Sequence, residues 1–290
     1  MIDLHTHSTV SDGSFSPSAL IVEAVKRGLT AIALTDHDTT GGLKEAAKAA
    51  KENGIRFIPG IELEIAWNQN GEFHLLGLGL GELKDEFITA VEGLGRRREE
   101  RNLEIVDRMN KAGIKVSYSE IITQTVRSAA ARSQTAGHSI GRPHFAAYMA
   151  EKKIVKSRDQ AFSRYLGKGR PFYIPKVGLE FELALKIIHE SGAIAVLAHP
   201  MSLYTAWGKL PELIKSFKEK GLDGIEAWHP STKLSSCKRL EELGRKLDLY
   251  ITAGSDFHGE ARRDRKLGIT AGGIKISDTF LEDIPALGAI

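Results

Sequence analysis

Histidines stand at positions 5, 7, 37, 74, 138, 144, 189, 199, 229 and 258, and their placement says more about chemistry than any other feature of the chain. His5-Thr6-His7 ends a short apolar run. Residues two apart on a strand share a face, so both imidazoles can reach one ion. Asp12 follows in a Ser/Gly loop, and His37 sits in Thr35-Asp36-His37-Asp38 after a second apolar run. Glu62 follows Pro59-Gly60-Ile61, His74 lies in the next run, and His199 ends Ala195-Val196-Leu197-Ala198-His199. Asp256 and His258 close the run that begins at Tyr250, again two apart. Neutral imidazoles and ionised carboxylates together suit Zn, Mn or Fe. The set His5, His7, Asp12, His37, Glu62, His74, His199, Asp256 and His258 exceeds what one ion needs. At about four protein or shared ligands per ion, two or three divalent ions are expected. Asp3, Asp36 and Asp38 neighbour these residues and are read as orienting or capping groups. His189 falls in a helical pattern and is read as structural, and His229, in Trp228-His229-Pro230, is kept outside the ligand set.

The elements that must position these groups alternate. Ile2–His5 reads as a strand, Ser18–Arg27 as a helix with Pro17 near its start, Thr30–Thr35 as a strand and Leu43–Asn53 as a helix closed by Gly54. Arg56–Ile58 and Glu62–Trp67 are expected to flank a Pro-Gly turn, with Phe73–Gly79 as the next strand. The rhythm resumes with helix Phe181–Glu190, strand Ala193–Ala198, helix Pro211–Lys220, strand Gly224–Trp228, helix Ser236–Leu247 and strand Tyr250–Ala253. Gly273–Ile276 is a candidate last strand. This is the βαβα order of a parallel sheet or barrel. In a parallel barrel the carboxyl ends of the strands converge on one rim, where the polar groups above would meet.

Between Gly93 and Lys176 the order changes to an all-helical insertion. Residues 96–111 read as a helix with Leu103, Val106 and Met109 on one face. Ser117 and Glu120 have capping-box spacing, Pro143 starts a helix through Met149, Ser157 caps one through Leu166, and Gly167–Pro175 is a return linker. The expected division is therefore a barrel, 1–92 with 177–290, and a cap, 93–176. That insertion holds 18 Lys/Arg against 7 Asp/Glu, in a chain whose net charge is only +3. A basic block in an otherwise acidic chain suits an anionic partner. Within it, the Arg96–Arg98 run is read as a solvated face.

With 290 residues, 42% hydrophobic and 27% charged, the composition is that of a globular protein, which excludes extensive disorder. No apolar run approaches the roughly 18 residues that cross a bilayer, so no membrane partner is expected. Ile2–Leu4 reads as a strand, so no signal peptide is expected. The lone Cys237 excludes an internal disulfide and a thiolate cluster, and a reducing cytoplasm fits it.

Asp3-Leu4-His5-Thr6-His7-Ser8, Ser11-Asp12-Gly13, Leu34-Thr35-Asp36-His37-Asp38, Gly60-Ile61-Glu62, Ala198-His199-Pro200 and Ser255-Asp256-Phe257-His258 resemble the motifs of the PHP (polymerase and histidinol phosphatase) family, from Met1 to about Leu267. The resemblance implies an α/β fold, a distorted (β/α)7 TIM-like barrel, with two or three metal ions. It implies His5, His7, Glu62 and Asp256 around the first ion, Glu62, His74 and His199 around the second, and Asp12, His37 and His258 around the third. Leu63 stands where many relatives carry a small or different residue. Gly141-Arg142-Pro143-His144-Phe145-Ala146 and Ala161-Phe162-Ser163-Arg164-Tyr165-Leu166 resemble a stand-alone branch of nucleoside 3′,5′-bisphosphate phosphatases and 5′→3′ exoribonucleases.

Clustered divalent ions acidify water and neutralise phosphoryl oxygens. The expected reaction is therefore phosphoester hydrolysis by a metal-bridging hydroxide, with a nucleoside bisphosphate or short RNA as substrate. Asp256, His199, Arg142 and His144 are the candidates for work at the reacting group. Arg142 and His144, with Arg170 and Lys176 in the return linker, are the candidates for a second phosphate, to which arginine presents a two-pronged fork. Two other readings compete. A histidinol-phosphate phosphatase would leave the basic cap without a purpose. A non-catalytic metal-binding module is disfavoured by the full set of ligand types.

Overall fold

The short runs of Ile, Ala, Leu and Val form strands because each is buried on both faces. In the computed structural model, which describes residues 1–128 and 139–288, seven strands pair in chain order: β1 (Ile2–Asp3), β2 (Ala31–Leu34), β3 (Arg56–Glu64), β4 (His74–Leu78), β5 (Ile194–Leu197), β6 (Gly224–Trp228) and β7 (Tyr250–Ala253). The last returns to the first. Leu4 N–H donates to Ala253 O at 3.4 Å, and Thr6 bridges Phe257 in parallel. The result is a distorted, nearly closed seven-stranded α/β barrel. Alternate residues Ala31, Ala33, Leu76, Leu78, Ile194 and Val196 fall in one apolar cluster with Leu281, Ile284 and Leu287 of the C-terminal segment. The intervening Ile32 and Leu34, and Ala195 and Leu197, pack outward on the helices.

Two strand expectations are corrected. Arg56–Glu64 is one strand with no turn at Pro59-Gly60. Its pairing with β2 ends at Leu34↔Pro59 and its pairing with β4 begins at Gly60↔Leu78. The proline therefore sits at the change of partner, where its missing N–H leaves no gap in a ladder. Gly273–Ile276 forms no strand. Gly272 and Gly273 take left-handed φ of 65° and 76°, which curls the segment into a short 3-10 turn over Ala271–Gly273.

The barrel is also not fully parallel. β4 runs antiparallel to both β3 and β5, so its amino end lies at the rim where the other strands end. His74, its first residue, reaches the common rim for that reason.

Among the described residues the α-helices are α1 (Pro17–Lys26), α2 (Leu43–Asn53), α3 (Asp85–Lys111), α4 (Tyr118–Ser128), α5 (Arg142–Glu151), α6 (Arg158–Ala161), α7 (Phe181–Glu190), α8 (Leu210–Glu219), α9 (Leu234–Lys246), α10 (Thr279–Glu282) and α11 (Pro285–Gly288). α6 continues as one wider π turn, Phe162–Leu166. Ser16 caps α1, its hydroxyl accepting from Ala19 N–H at 3.2 Å, with Pro17 in the first turn. α3 runs through position 93 and so belongs to both barrel and helical segment. Its buried face carries Phe87, Leu94, Arg101, Asn102, Ile105 and Met109. Leu103, expected on that face, is 49% exposed. The face turns this way because Asn102 is needed inside, where its amide donates to Ile140 O at 2.9 Å and Tyr118 Oη at 3.2 Å. Ile105, Met109, Ile121, Phe145, Met149, Leu166 and Phe172 form a separate apolar cluster under the helical segment. Among the described residues no helix is long and apolar enough to cross a membrane.

Candidate metal centre

The rim groups converge on one point. His5 Nε2 and His7 Nε2 lie 3.1 Å apart, and Glu62 Oε2 is 3.3 Å from each. Asp256 Oδ1 stands 3.1 Å from His7 Nε2 and 3.5 Å from His5 Nε2. Glu62 is the hub. Its Oε1 lies 2.8 Å from His74 Nδ1 and 2.9 Å from His199 Nε2, and its Oε2 is 2.9 Å from His37 Nδ1. Asp12 Oδ1 is 3.1 Å from His258 Nε2 and 3.8 Å from His37 Nε2. Three sets bring their ligand atoms within 4.8 Å of one another: His5, His7 and Asp256; His7, Asp12, His37 and His258; and His37, Glu62 and His74. In the last set His37 stands beside Glu62 and His74, while His199 approaches the Glu62 oxygen that His74 approaches, Oε1. All nine residues singled out by spacing thus meet in one cup.

Strained backbone aims several of these groups. Asp38, His199 and Asp256 have φ of 51°, 28° and 47°. The left-handed region is unfavourable for residues with a side chain and is typical of functional sites. Each of these residues follows the end of a strand, where a sharp turn points His199 and Asp256 into the cup and Asp38 toward Glu64 N–H and Arg98. At Gly254 a Cβ would sit 2.3 Å from His5 Cβ and 2.6 Å from Glu226 Oε1, so only glycine lets β7 pass behind His5.

The three neighbouring aspartates hold loops. Asp36 accepts from Ser8 N–H at 2.8 Å, Ser8 Oγ at 2.6 Å and Ser11 Oγ at 2.6 Å, which fixes the turn carrying Asp12. Asp3 accepts from Ser255 N–H at 2.9 Å and Gly268 N–H at 2.7 Å. Burial pushes its carboxyl up to about 6 despite those bonds. Asp38 accepts from Glu64 N–H at 2.8 Å and pairs with Arg98.

The donor set fits divalent cations. Glu62 Oε2 and Asp12 Oδ1 are buried and accept no well-aligned hydrogen bond, although imidazole nitrogens surround both. A buried carboxylate oxygen in that condition needs a cation. Electrostatics agree. Burial opposes protonation of His5, yet Glu226, Glu62 and Asp256 override it and hold the ring well above its usual value. Burial likewise opposes charge on His7 and His74, which their carboxylate partners raise to about 9 and about 10. The carboxylates thus draw positive charge into the cup, and a bound ion would supply it instead.

A cavity of about 590 Å³ opens above the cup. Asp12, His37, Glu62, His74, His199, Asp256 and His258 line its barrel side, and Arg98, Arg101, Arg142, Pro143, Phe162 and Lys176 its helical side. The reading of Arg96–Arg98 as a solvated face holds for Arg96, 65% exposed at its side chain, and fails for Arg98, which α3 turns into the cavity. Burial and neighbouring guanidinium groups pull Arg98 and Arg101 down to about 10. They stay charged at neutral pH, and an anion would relieve the repulsion. Arg142 pairs with Glu72 at 3.4 Å and stacks over Tyr173. Lys176 reaches Glu64 and, at 3.5 Å, Glu72. Beside Lys176, and against the opposing effect of burial, Glu72 is lowered to about 2. His144 does not line the cavity: its Nδ1 accepts from Gly141 N–H at 2.9 Å and caps α5. Arg170 is exposed and also lies off the cavity. His138 falls outside the described residues. His189 pairs with Asp223 at 2.7 Å, away from the rim.

Sequence reasoning passed over several groups here. Glu226 approaches His5 Nδ1 at 3.0 Å and accepts from His199 N–H at 2.7 Å. Its signal was a carboxylate in the apolar run Gly224–Trp228, buried through Ala227, where charge needs a purpose. His229, set aside on sequence, brings Nε2 to 3.2 Å from Asp256 Oδ2 and lines the cavity. Arg265 is buried, pairs with Asp256 and sits 2.8 Å from His229 Nε2.

The PHP domain family model matches residues 3–199. The chain is 35% identical to a 5′-3′ exoribonuclease of Haemophilus influenzae, covering 88% of this chain and 89% of that protein. It is 32% identical to a 3′,5′-nucleoside bisphosphate phosphatase of Chromobacterium violaceum, over 93% and 91%. Among solved structures, an amidohydrolase from Chromobacterium violaceum, with bound sulfate and no metal, superposes with a TM-score of 0.81 at 31% identity, over 93% and 90%. With the family model covering well over half of its length, the chain belongs to the PHP domain family.

Proposed function

We propose that this protein is a metal-dependent phosphoesterase that removes the 3′-phosphate of nucleoside 3′,5′-bisphosphates and makes the equivalent cut in short 5′-phosphorylated RNA. One observation carries the reading: a cup of imidazoles and carboxylates faces a cluster of cations, Arg98, Arg101, Arg142 and Lys176, across a single cavity. A substrate with one phosphate needs only the cup. A substrate with two uses both sides.

His5, His7, Asp12, His37, Glu62, His74, His199, Asp256 and His258 would hold two or three divalent ions, Mn, Fe or Zn by donor type. Such ions supply Lewis acidity toward the phosphoryl group and lower the pKa of water to near neutrality. Asp256 and His199, exposed to the cavity at strained positions, are the ligands nearest the reacting group in this reading. Arg142 offers its fork to the second phosphate once Glu72 gives way, and Arg98, Arg101 and Lys176 add charge. The helical segment 93–176 acts as the cap that excludes water around them. The lone, buried Cys237 takes no part, and its thiol suits the reducing cytoplasm.

The test is phosphate release from adenosine 3′,5′-bisphosphate by Mn-loaded protein, with 5′-AMP and histidinol phosphate in parallel. Selective release from the bisphosphate supports the reading. Turnover of histidinol phosphate with silence on the bisphosphate overturns it. Arg142→Ala should then raise KM for the bisphosphate about tenfold or more, the worth of a lost charged hydrogen bond, with a smaller effect on a monoester.

A further inference from the structure

We propose that Tyr204 and the polar groove beside it form a subsite for the second nucleotide of a 5′-phosphorylated oligonucleotide, extending the active-site cavity outward. The inference rests on the phosphoesterase reading above and names the substrate that the cavity's outer end is built to take.

Tyr204 is the most exposed large hydrophobic side chain among the described residues, at 79%. Burial does not explain its presence, and its ring has no stacking partner among the described residues. Its backbone is left-handed, with φ of 49°, an unfavourable conformation for an aromatic residue and one that presents the ring at the cavity mouth. The residue lines two spaces at once: the 590 Å³ cavity over the cup and an adjoining groove of about 330 Å³. That groove is built from Asn68, Gln69 and Asn70 of the β3–β4 connection, Lys168 of the cap's return linker, and Leu203.

The platform is tied to the cup. His199 Nδ1 lies 2.7 Å from Ser202 Oγ, which donates to Glu72 O at 2.9 Å, and Glu72 N–H donates to Ser202 O at 2.9 Å. Tyr204 N–H donates back to Met201 O at 3.2 Å. The tyrosine thus stands on a turn fixed at one end by a proposed metal ligand and braced by the β3–β4 connection.

The chemistry of the groove selects its occupant. An exposed aromatic face takes any base by stacking, which accounts for sequence-tolerant single-strand binding. Amide side chains offer donors and acceptors to base edges. Lys168 gives its hydrogen bond to the neutral Asn70 Oδ1 at 2.8 Å, which leaves its charge for the next phosphate. An aromatic face, amides and one lysine, continuous with a phosphate-hydrolysing cavity, match a nucleotide attached to the hydrolysed phosphate.

The test uses the full chain and two readouts. A 5′-phosphorylated dinucleotide with a non-hydrolysable methylenephosphonate linkage and 2-aminopurine as its second base reports stacking by quenching on the Zn-loaded protein. Hydrolysis of the dinucleotide with its natural phosphodiester linkage is then compared with that of adenosine 3′,5′-bisphosphate using Mn-loaded protein. Quenching by the wild type and by Tyr204→Phe, lost in Tyr204→Ala, is expected. The ratio of kcat/KM, dinucleotide over bisphosphate, should fall at least about fivefold in Tyr204→Ala and stay near wild type in Tyr204→Phe. Lys168→Met should weaken binding of a trinucleotide more than that of the dinucleotide. Equal quenching in wild type and Tyr204→Ala, or an equal loss on both substrates, overturns the subsite. Stacking by the wild type without turnover of either substrate overturns the phosphoesterase reading and leaves the subsite standing.

Discussion

Replacing Arg265 by methionine isolates the charge balance of the cup. The guanidinium is buried, pairs with Asp256 Oδ2 and lies 2.8 Å from His229 Nε2. Asp256 is ionised in the fold: burial opposes its charge, but His5, Arg265 and His258 together hold it well below the usual carboxylate range. Methionine fills most of the space and removes only the cation. Breaking a buried pair in this way costs about 3–5 kcal/mol. The remaining imidazoles near Asp256 can take up protons, so the lower end, about 3 kcal/mol, is expected for the metal-free protein. At roughly 2–4 °C per kcal/mol for a large domain, this is a fall of about 6–12 °C in Tm. A divalent ion beside Asp256 supplies the missing charge, and its binding stabilises the fold by mass action. The deficit should therefore shrink when Mn replaces EDTA. Calorimetry of both proteins under both conditions measures it. A variant melting within about 2 °C of wild type in EDTA, or a deficit that grows with Mn, would refute the reasoning.

Other consequences follow from single contacts. Gly254→Ala puts a methyl group 2.3 Å from His5 Cβ; overpacking of this kind should destabilise by about 1–3 kcal/mol, and titration should show weakened metal binding as His5 shifts. His189 is held above its usual value by its hydrogen bond to Asp223, with partial burial opposing. A raised folded pKa adds stability that is complete below the unfolded value of 6.5 and is lost as pH rises through the folded one. Urea unfolding of wild type and His189→Gln should differ most in acid, by less than about 1 kcal/mol for so exposed a pair, and converge in base; a gap that widens with pH would contradict the pairing.

Much of the site was legible because ligand chemistry repeats at strand ends. His5, His7, His199, Asp256 and His258 each follow a buried apolar run, and that regularity needs no tertiary information. His74 reached the same rim by another route, the reversed direction of β4, which nothing in Phe73–Gly79 encodes locally. Pro59-Gly60 read as a turn because propensity is local, whereas its place at a change of strand partner is a property of the whole sheet. Leu103 misled for a similar reason: apolar spacing on α3 competed with the burial of Asn102, whose polar partners Tyr118 and Ile140 come from distant segments. Arg98 and Arg265 were hidden because the inward direction of a basic side chain depends on a carboxylate elsewhere, here Asp38 and Asp256.

The most direct test of the central claim, that the cup holds a cluster of divalent ions around Glu62, is the metal content of the chain by atomic emission after Mn loading and removal of free metal. Wild type should retain two or three ions per chain. Glu62→Ala removes the carboxylate that approaches five imidazoles and should lose at least one of them while the protein stays folded by circular dichroism. A wild-type chain that retains fewer than one ion, or a folded Glu62→Ala chain with the full complement, would contradict the account.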